Sequence, residues 1–300
     1  MNVGVLYSRV RQDEKLLLSE LRDRGHDVTK IDVRKQTFDL TEPPEAFDDL
    51  DLVVDRCMAT SRSLYATKFC EQYGVPVVNS AATASTCADK VENSLALAAA
   101  GVPTPTTKTA FTTDAAMDVI EEFGYPCVLK PVMGSWGRLM AKIDSKSAAE
   151  AILEHKATLG HYEHKVFYVQ EFVEKPGRDV RVLAVDGEPV AAMARSGDHW
   201  LTNAAKGADT EPFELDDEAL ELVEMASDAV GGGLLGVDLM ETEGDQTDWS
   251  YTVHEVNHTV EFKALNEAVD VDVPAKVVDW LEAKADASAA EDEAIAEVSD

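Results

Sequence analysis

The chain has 300 residues, 45% of them hydrophobic, which is enough to bury an apolar core in two or three subdomains. Its formal net charge is −30, from 57 acidic and 27 basic residues. This balance argues against nucleic acid as the main partner, because phosphate binding needs clustered positive charge. No apolar run reaches the roughly 18 residues of a membrane span, so we expect no membrane partner and a cytoplasmic location.

The acidic excess also predicts where the protein works. In dilute buffer such a surface repels itself, whereas molar salt shortens the Debye length to about 3 Å. We therefore expect a salt-rich cytoplasm, as in a halophile. The four cysteines (Cys57, Cys70, Cys87 and Cys127) are widely spaced, with no C-x-x-C pair. They predict reduced thiols and neither a disulfide nor a zinc site.

The first 88 residues alternate apolar strands with helices, which predicts a parallel α/β sheet. A helix is expected from about Asp13, and no G-x-G-x-x-G follows the first strand, so a dinucleotide fold has no support. The predicted strands are Val3–Tyr7, Asp27–Val33, Leu50–Asp55 and Val75–Asn79.

A small α+β lobe is predicted next, after a helix over Cys87–Ala100 and a proline-containing linker at 102–105. It has a helix ending at Phe123, a strand over 126–130, a glycine loop and a strand over 139–143. Ser147 and Glu150 match a capping box at the start of a further helix.

Antiparallel strands dominate the rest of the predicted structure. Strands over 179–185 and 189–195 are joined at Asp186-Gly187, a typical two-residue hairpin turn. A helix over 216–230, two more strands and a helix from about Pro274 follow. Beyond Lys284 the composition is alanine with acidic residues and serine, which predicts a disordered tail.

Three oxygen-bearing side chains make a candidate metal site on the last two strands. Residues 253–257 alternate in polarity, which puts Glu255 and Asn257 on one face, and Asp238 follows another apolar run. Carboxylate and amide oxygens suit Mg²⁺, which usually shares its shell with nucleotide phosphates. An ordinary strand with one polar face explains the same residues equally well.

A phosphate clamp is a second candidate, formed by Lys130 with the glycine loop that follows it. Gly134 and Gly137 allow backbone N–H groups to approach an anion, and Arg138 adds positive charge. The spacing is not that of a P-loop, and a plain hairpin is the simpler alternative.

Several further residues have chemistry that the sequence leaves open. Gln170-Glu171-Phe172-Val173 could offer backbone groups to an adenine edge, although an ordinary strand end is the simpler interpretation. Four basic residues form an unusual concentration in so acidic a chain, which favours an anionic ligand: Arg178, Arg181, Arg195, which Asn203 follows, and Lys206. The histidines, including His199, His254 and His258, lack zinc spacing.

In this order, the motifs resemble the ATP-grasp ligases of the RimK type over nearly the whole chain. The closer resemblance is to the LysX/ArgX branch, which joins an amino acid to the C-terminal glutamate of the amino-group carrier protein LysW. Three segments carry it: residues 130–138, residues 168–182 and residues 255–263. Trp136 stands where RimK-like enzymes commonly have a small residue, which argues against plain RimK activity.

The resemblance implies an α/β and α+β ATP-grasp fold of three lobes. An N-terminal parallel α/β domain would span 1–88. The ATP-grasp domain would span 89–285, its central lobe at about 104–168 and its C-terminal lobe at about 169–285 clasping ATP. Residues 286–300 would form the acidic tail.

The resemblance also implies a role for each candidate residue. Lys90 and Lys130 would contact the nucleotide phosphates, beneath a loop of Gly134, Ser135, Trp136, Gly137 and Arg138. Nucleotide contacts would also come from Gln170, Glu171, Phe172 and Val173 at the adenine, from Asp179 at the sugar, and from Arg181. Two Mg²⁺ ions would be held by Asp238, Glu255 and Asn257, and the reacting phosphate and carboxylate would face Arg195, Asn203 and Lys206.

The implied reaction is ATP-dependent: it activates the carrier's terminal carboxylate as an acyl phosphate, which the α-amine of an acidic amino acid attacks. The resemblance, taken together with the acidic composition, favours glutamate (arginine biosynthesis) over α-aminoadipate (lysine biosynthesis), because salt-adapted archaea generally use this carrier route for arginine. An enzyme serving both is a further alternative. A same-fold alternative adds glutamate to a coenzyme or to a ribosomal protein, and a non-enzyme alternative is a nucleotide-binding sensor. We expect a small acidic carrier to contact Arg181, Arg195 and Lys206, and the enzyme to be a homodimer or homotetramer.

Overall fold

The computed structural model describes residues 1–134, 139–159, 165–197, 200, 208–242 and 249–299. Three sheets organise this part of the chain, one parallel and two antiparallel. None of its helices combines the length and the apolar character that crossing a membrane would need. All four cysteines are free and buried, as predicted.

The N-terminal sheet is parallel throughout, as the alternation of strands and helices predicts. Its strand order is β2-β1-β3-β4, so the carboxyl ends of all four strands meet at one edge. The helices α1 (Gln12–Asp23) and α2 (Thr60–Gln72) follow β1 and β3. The strands are β1 (Asn2–Tyr7), β2 (Asp27–Asp32), β3 (Leu52–Arg56) and β4 (Val77–Val78).

The helix predicted over 87–100 is present but begins three residues later, and a further helix that was not predicted precedes it. The two helices are α3 (Ala81–Ala88) and α4 (Lys90–Ala99), and they break at Asp89. The Asp89 carboxylate accepts hydrogen bonds from the backbone N–H groups of Val91 and Glu92, which caps α4 at its first turn.

The central lobe is an antiparallel sheet of order β5-β8-β6-β7 with two helices on it. Its first strand, β5, was not predicted. The cap of α6 also differs from the prediction: Ser145, not Ser147, accepts the hydrogen bond from the N–H of Ala148. The elements are β5 (Thr107–Ala110), α5 (Thr113–Phe123), β6 (Cys127–Lys130), β7 (Ala141–Ile143), α6 (Lys146–Leu159) and β8 (Phe167–Glu171).

The C-terminal lobe is built on an antiparallel sheet of order β11-β10-β9-β12-β13. The predicted hairpin is present: Asp186 (φ 45°) and Gly187 (φ 86°) form the turn between β9 and β10. The strands are β9 (Arg178–Val185), β10 (Glu188–Ser196), β11 (Asp209–Pro212), β12 (Leu234–Glu241) and β13 (Tyr251–Asn257). The helices are α7 (Asp217–Val230), α8 (Lys263–Ala268) and α9 (Val273–Ser299).

The chain beyond residue 285 differs from the expected disordered tail. In the structure α9 continues through residues 286–299. Alanine and glutamate, which dominate this stretch, are among the strongest helix formers, so local propensity accounts for the continuation.

The N-terminal domain and the C-terminal lobe share one apolar core, whereas the central lobe has its own. The shared core joins Leu17 of α1 and Val54 of β3 to Phe262 and to Leu281 of α9. A buried ion pair supports it, since Arg56 contacts Glu14 at 3.3 Å and also donates to the carbonyl of Val260 at 2.9 Å. The N-terminal sheet is therefore fixed against the lobe that carries the candidate metal ligands.

Candidate active site

A β-bulge shapes the strand pair at the centre of the site. Asp238 of β12 lies opposite Glu255 of β13, and the next residue, Leu239, lies opposite Val253. His254 is thus an extra residue on β13, and two neighbours on that strand face a single position on β12. Strict period-2 alternation would have put His254 and Glu255 on opposite faces.

Lys90 reaches Glu255 from the first residue of α4. Its Nζ donates to Glu255 Oε1 at 2.9 Å and to the carbonyl of Gly134 at 3.2 Å, and the side chain is almost buried. Asn93, one turn later, donates to the carbonyl of Val256 at 2.9 Å and accepts from its N–H at 3.3 Å. The first turn of α4 is therefore hydrogen-bonded to β13 at Glu255 and Val256.

Lys130 is the last residue of β6 and is only 2% exposed. Its Nζ lies 2.7 Å from His254 Nε2 and donates to Gln170 Oε1. No carboxylate lies within ion-pair distance of it in the part of the chain that the structure describes. Burial therefore lowers the pKa of Lys130 to about 7, and burial together with Lys130 holds the pKa of His254 well below its usual range.

Arginines surround Asp238 on the neighbouring strands of the same sheet. Arg181 donates through Nε and Nη2 to the two carboxylate oxygens, at 2.6 and 2.8 Å. Arg195 donates to Asp238 at 2.8 Å and to Asp179 at 2.6 Å. Burial by itself would raise the pKa of Asp238, but the two guanidinium groups outweigh it and hold that pKa below its usual range.

These contacts give the site a positive excess in a strongly acidic chain. Five cationic side chains (Lys90, Lys130, Lys175, Arg181 and Arg195) meet three carboxylates (Asp179, Asp238 and Glu255). The effective dielectric constant is low at such buried positions, so the excess attracts anions more strongly than an exposed patch would. A ligand with several negative charges, such as a polyphosphate, fits this arrangement.

The segment predicted to meet adenine leaves the central sheet at the end of β8. Gln170 is 1% exposed, and its amide bonds Lys130, the Thr107 hydroxyl (2.9 Å) and Tyr168. Glu171 accepts a hydrogen bond from the N–H of Thr106 at 2.6 Å, and Lys142 lies 4.5 Å from the ring centroid of Phe172. Val173 is buried. Because the buried Gln170 accepts a hydrogen bond from Lys130, it fixes the position of the Lys130 ammonium group.

Six predicted residues lie outside the described residues: Ser135, Trp136, Gly137, Arg138, Asn203 and Lys206. Gly134, at the start of the predicted loop, is described and has φ 147°, a conformation that favours glycine. Residues 243–248 and His199 also lie outside the described residues.

The predicted metal ligands do converge, but they do not form a closed protein site. Asn257 Nδ2 lies 3.4 Å from Asp238, and Glu255 is the register partner of Asp238. In the described ranges no three His, Cys, Asp or Glu side chains are placed to hold an ion. Two carboxylates and an amide fit an ion that takes its remaining ligands from phosphate oxygens and water, which is how proteins usually hold Mg²⁺.

A small cleft of about 40 Å³ lies beside Glu255, between the two domains that share a core. Cys57, Met58 and Thr60 of the N-terminal domain line it, together with Asn257 and His258 among others. The N-terminal domain therefore contributes part of the wall beside Glu255.

Sequence reasoning missed three residues that the structure brings into the site. His254 contacts Lys130 only because of the bulge, which has no clear sequence signature. Asn93 holds β13, and Lys175 lies 3.5 Å from Asp179. An expected basic landing surface is also wrong in part, since Arg181 and Arg195 are both bonded to Asp238 and Arg195 is 7% exposed.

The geometry agrees with the comparison with protein families. Residues 3–86 match the LysX preATP-grasp domain, and residues 87–281 match the RimK-like ATP-grasp domain. The chain belongs to the RimK-like ATP-grasp family and is an ATP-dependent ligase that forms carbon–nitrogen bonds. The expected α/β ATP-grasp fold is confirmed.

Relatives with established names are similar over most of the chain. The α-aminoadipate–LysW ligase LysX of Saccharolobus solfataricus is 36% identical over 84% of this chain and 90% of its own. The glutamate–LysW ligase ArgX of Sulfolobus acidocaldarius is 31% identical over 94% of this chain and 98% of its own. A RimK domain ATP-grasp protein of Sphaerobacter thermophilus is structurally similar, with a TM-score of 0.78 and 29% identity, over 93% of this chain and 99% of its own.

Proposed function

We propose that the protein joins the α-amine of glutamate to the C-terminal glutamate of a LysW-type carrier protein, using ATP. The observation that carries the proposal is the buried set of five cations around Asp179, Asp238 and Glu255, beside a small cleft. It occurs in a chain similar to two LysW ligases over most of its length.

The first half of the reaction needs a polyphosphate held next to a carboxylate. Lys90 and Lys130 would bind the phosphates of ATP, and Lys130, buried and without a carboxylate partner among the described residues, gains most from an anion. The carrier's terminal carboxylate attacks the γ-phosphorus, the bond to ADP breaks, and an acyl phosphate forms. Catalysis of this step is mainly positioning and charge stabilisation, which fixed cations provide.

In the second half the amine of the amino acid attacks the acyl carbon, and inorganic phosphate leaves with the bonding electrons. The ammonium loses its proton before or during attack, so the product is an amide, ADP and phosphate. None of these steps requires a covalent bond to the enzyme. Asn203 and Lys206, together with Arg195, are proposed to face the reacting groups.

Asp238, Glu255 and Asn257 would hold Mg²⁺, and we propose two ions. When bound, the metal supplies positive charge to the phosphate oxygens. The chain's own contribution is to keep the two carboxylates in register across β12 and β13, and to hold Asp238 ionised between two arginines.

The remaining nucleotide contacts are proposed from the roles that the family resemblance implies for these residues. Glu171 and Val173, with Phe172, would meet the adenine where β8 ends, and Asp179 would meet the sugar. The loop of residues 134–138 would cover the phosphates, from Gly134 to Arg138. The division into a domain of 1–88 and an ATP-grasp domain of 89–285 stays a prediction, as do the homodimer or homotetramer and the salt-rich cytoplasm.

The second candidate substrate is α-aminoadipate, favoured by the 36% identity to an α-aminoadipate–LysW ligase. Glutamate is favoured by the longer match to the glutamate–LysW ligase, which covers 94% of this chain. The two amino acids differ by one methylene, which a pocket separates by only about 1–3 kcal/mol. Activity with both is therefore a realistic outcome.

The test is an intact-mass assay of the carrier in molar KCl with ATP, Mg²⁺ and one amino acid at a time. A mass gain of one glutamyl unit with glutamate alone supports the proposal, and a gain with α-aminoadipate alone identifies the second candidate. Gain with neither, while ATP is bound, rules out the carrier as acceptor and directs the search to coenzyme or ribosomal acceptors.

A further inference from the structure

Charge is distributed very unevenly between the two parts of the chain. Residues 1–88 contain 11 of the 27 basic residues and only 14 of the 57 acidic ones, a net charge of −3. Residues 89–300 therefore carry −27. An acidic partner is repelled by most of this molecule and least by its N-terminal domain.

Three exposed basic residues of that domain lie at one edge of its sheet. Because the strands are parallel and Tyr7 is in register with Asp32 and Arg56, the segments that follow these strands emerge side by side. Arg9 follows β1, Lys35 follows β2, and Arg62 lies in the first turn of α2, after β3. We call these three residues, with Val10 and Tyr65, the basic edge.

The three cations of the basic edge are exposed to solvent. Arg9, Lys35 and Arg62 have no ion-pair partner among the described residues. Two neighbouring arginines are instead paired. Arg34 pairs with Asp32, and Arg11 pairs with Glu14 and Glu261. In a chain with about twice as many acids as bases, three such neighbouring cations are available to another molecule.

Acidic residues of the following loop do not cancel this charge. The loop after β2 crosses to the far end of α2, where Phe38 stacks on Phe69 with ring centroids 5.0 Å apart. There the Tyr73 hydroxyl donates to the carbonyl of Asp39. The exposed acids from Asp39 onwards therefore lie away from the carboxyl edge of the sheet.

Two exposed apolar side chains complete the surface. Tyr65 is 66% exposed and lies one turn from Arg62 on α2, and Val10, next to Arg9, is 37% exposed. Tyrosine and arginine are the residues most enriched at protein–protein contacts. This composition fits a folded acidic protein better than a free small anion.

The same edge forms one wall of the cleft at the candidate site. Cys57 and Met58, which follow β3, and Thr60, the first residue of α2, line the cleft that Glu255 also lines. A protein bound to the basic edge is therefore placed to extend a terminal segment towards Glu255. The N-terminal domain therefore carries the basic edge and also contributes part of the wall beside Glu255.

We infer that the basic edge is the docking surface for the acidic face of the carrier protein whose terminal carboxylate is activated. This inference rests on the proposed function and replaces Arg181 and Arg195 as the landing site. It assigns the N-terminal domain a role in recognising the carrier, separate from binding ATP or the amino acid.

The test compares two charge-reversal variants that both change the net charge from −30 to −34. The edge variant is Lys35→Glu with Arg62→Glu. The control variant is Arg22→Glu with Lys68→Glu, whose residues are exposed and unpaired in the described structure and lie towards the C-terminal ends of α1 and α2. Assays use the lowest KCl concentration at which both variants keep the wild-type melting temperature, with LysW carrier as the probe.

The edge variant is expected to raise the KM for the carrier about tenfold, with kcat and the KM for ATP unchanged. The control variant should leave all three constants close to wild type. In 1 M KCl the difference should largely disappear, because the Debye length falls to about 3 Å.

Equal KM values for the carrier in the two variants would overturn the docking surface, and so would a rise in the KM for ATP with the edge variant. Neither result touches the proposed reaction, which stands on carrier modification by the wild-type enzyme. If the wild-type enzyme does not modify the carrier, the proposed function is what fails.

Discussion

The C-terminal lobe has two neighbours, and it is joined to them by different kinds of contact. Its junction with the N-terminal domain is a continuous apolar core around Phe262, closed by the buried pair of Arg56 and Glu14. Its junction with the central lobe at the site is polar, and Lys130 and His254 meet there at 2.7 Å. The hydroxyls of Ser94 and Tyr168 make a second polar contact across it at 2.8 Å.

The difference indicates which boundary can open. Separating the N-terminal domain would expose apolar side chains to water, at a cost of about 25 cal/mol for each Å². Separating the central lobe breaks hydrogen bonds that water can replace, so its net cost is smaller. We therefore expect the central lobe to move when a nucleotide enters, and the N-terminal domain to remain a fixed wall of the cleft.

The largest expected effect comes from removing the cation at the polar junction. Lys130→Met keeps the volume of the side chain but removes its charge, and should lower kcat/KM for ligation about 100- to 1,000-fold. Stability should change little, because the buried charge had no carboxylate partner among the described residues. Steady-state ADP release together with carrier modification measures the effect.

The matched control is Lys108→Met, which removes an exposed lysine of the same lobe that pairs with Glu122. It should retain wild-type kinetics. Full activity in Lys130→Met would refute the assignment of this lysine to the phosphates.

The next effect concerns the shared core. Phe262 is 0% exposed, and Phe262→Ala should destabilise the protein by about 3–5 kcal/mol. Hydrogen-exchange mass spectrometry should show β1 and β12 losing protection together, since their side chains pack in one cluster.

The comparison variant is Ile120→Ala, in the separate core of the central lobe. It should cost about 2–5 kcal/mol and expose β6 and β8 while β1 stays protected. If both variants loosened all three sheets equally, the two junctions would not differ as proposed.

A smaller effect is expected at the hydrogen bonds between the N-terminal domain and the C-terminal lobe. Asp13 is buried, and its Oδ1 accepts from the backbone N–H groups of Phe262 and Lys263 at 2.8 and 2.9 Å. Asp13→Ala leaves both donors without this partner and should cost about 2–3 kcal/mol in urea unfolding. The control is Asp23→Ala, at an exposed position on the same helix. If Asp13→Ala lowers the free energy of unfolding no more than Asp23→Ala does, the junction of the N-terminal domain with the C-terminal lobe rests on apolar packing alone.

The sequence predicts the secondary structure within these regions better than the packing contacts between them. Alternation of strands and helices gives the parallel N-terminal sheet, and Asp186-Gly187 gives the hairpin, because both signals are local. The shared core is not predictable in this way, since it joins Leu17 to Leu281 across almost the whole chain.

The site shows the same division between local and long-range information. Period-2 spacing predicts only that Glu255 and Asn257 share a face of β13. The register of Glu255 with Asp238 and the bulge at His254 both depend on how β13 pairs with β12. The break at Asp89 was readable, because an aspartate followed three residues later by Glu92 is a helix-start signal. The ion pairs of Arg195 follow from strand order, which no local pattern specifies.

The smallest expected effect tests whether the central lobe behaves as a unit. Thr112 caps α5, its hydroxyl accepting from the N–H of Ala115 at 3.2 Å, and Thr112→Ala should cost about 1 kcal/mol. Because the junction of this lobe is polar, the cost should appear as faster hydrogen exchange in α5 and β8, while α7 of the C-terminal lobe is unchanged. Thr112→Ser keeps the cap and should restore protection. Faster exchange in α7 with Thr112→Ala would mean that the lobes unfold as one body, and the central lobe would then be unable to move independently over ATP.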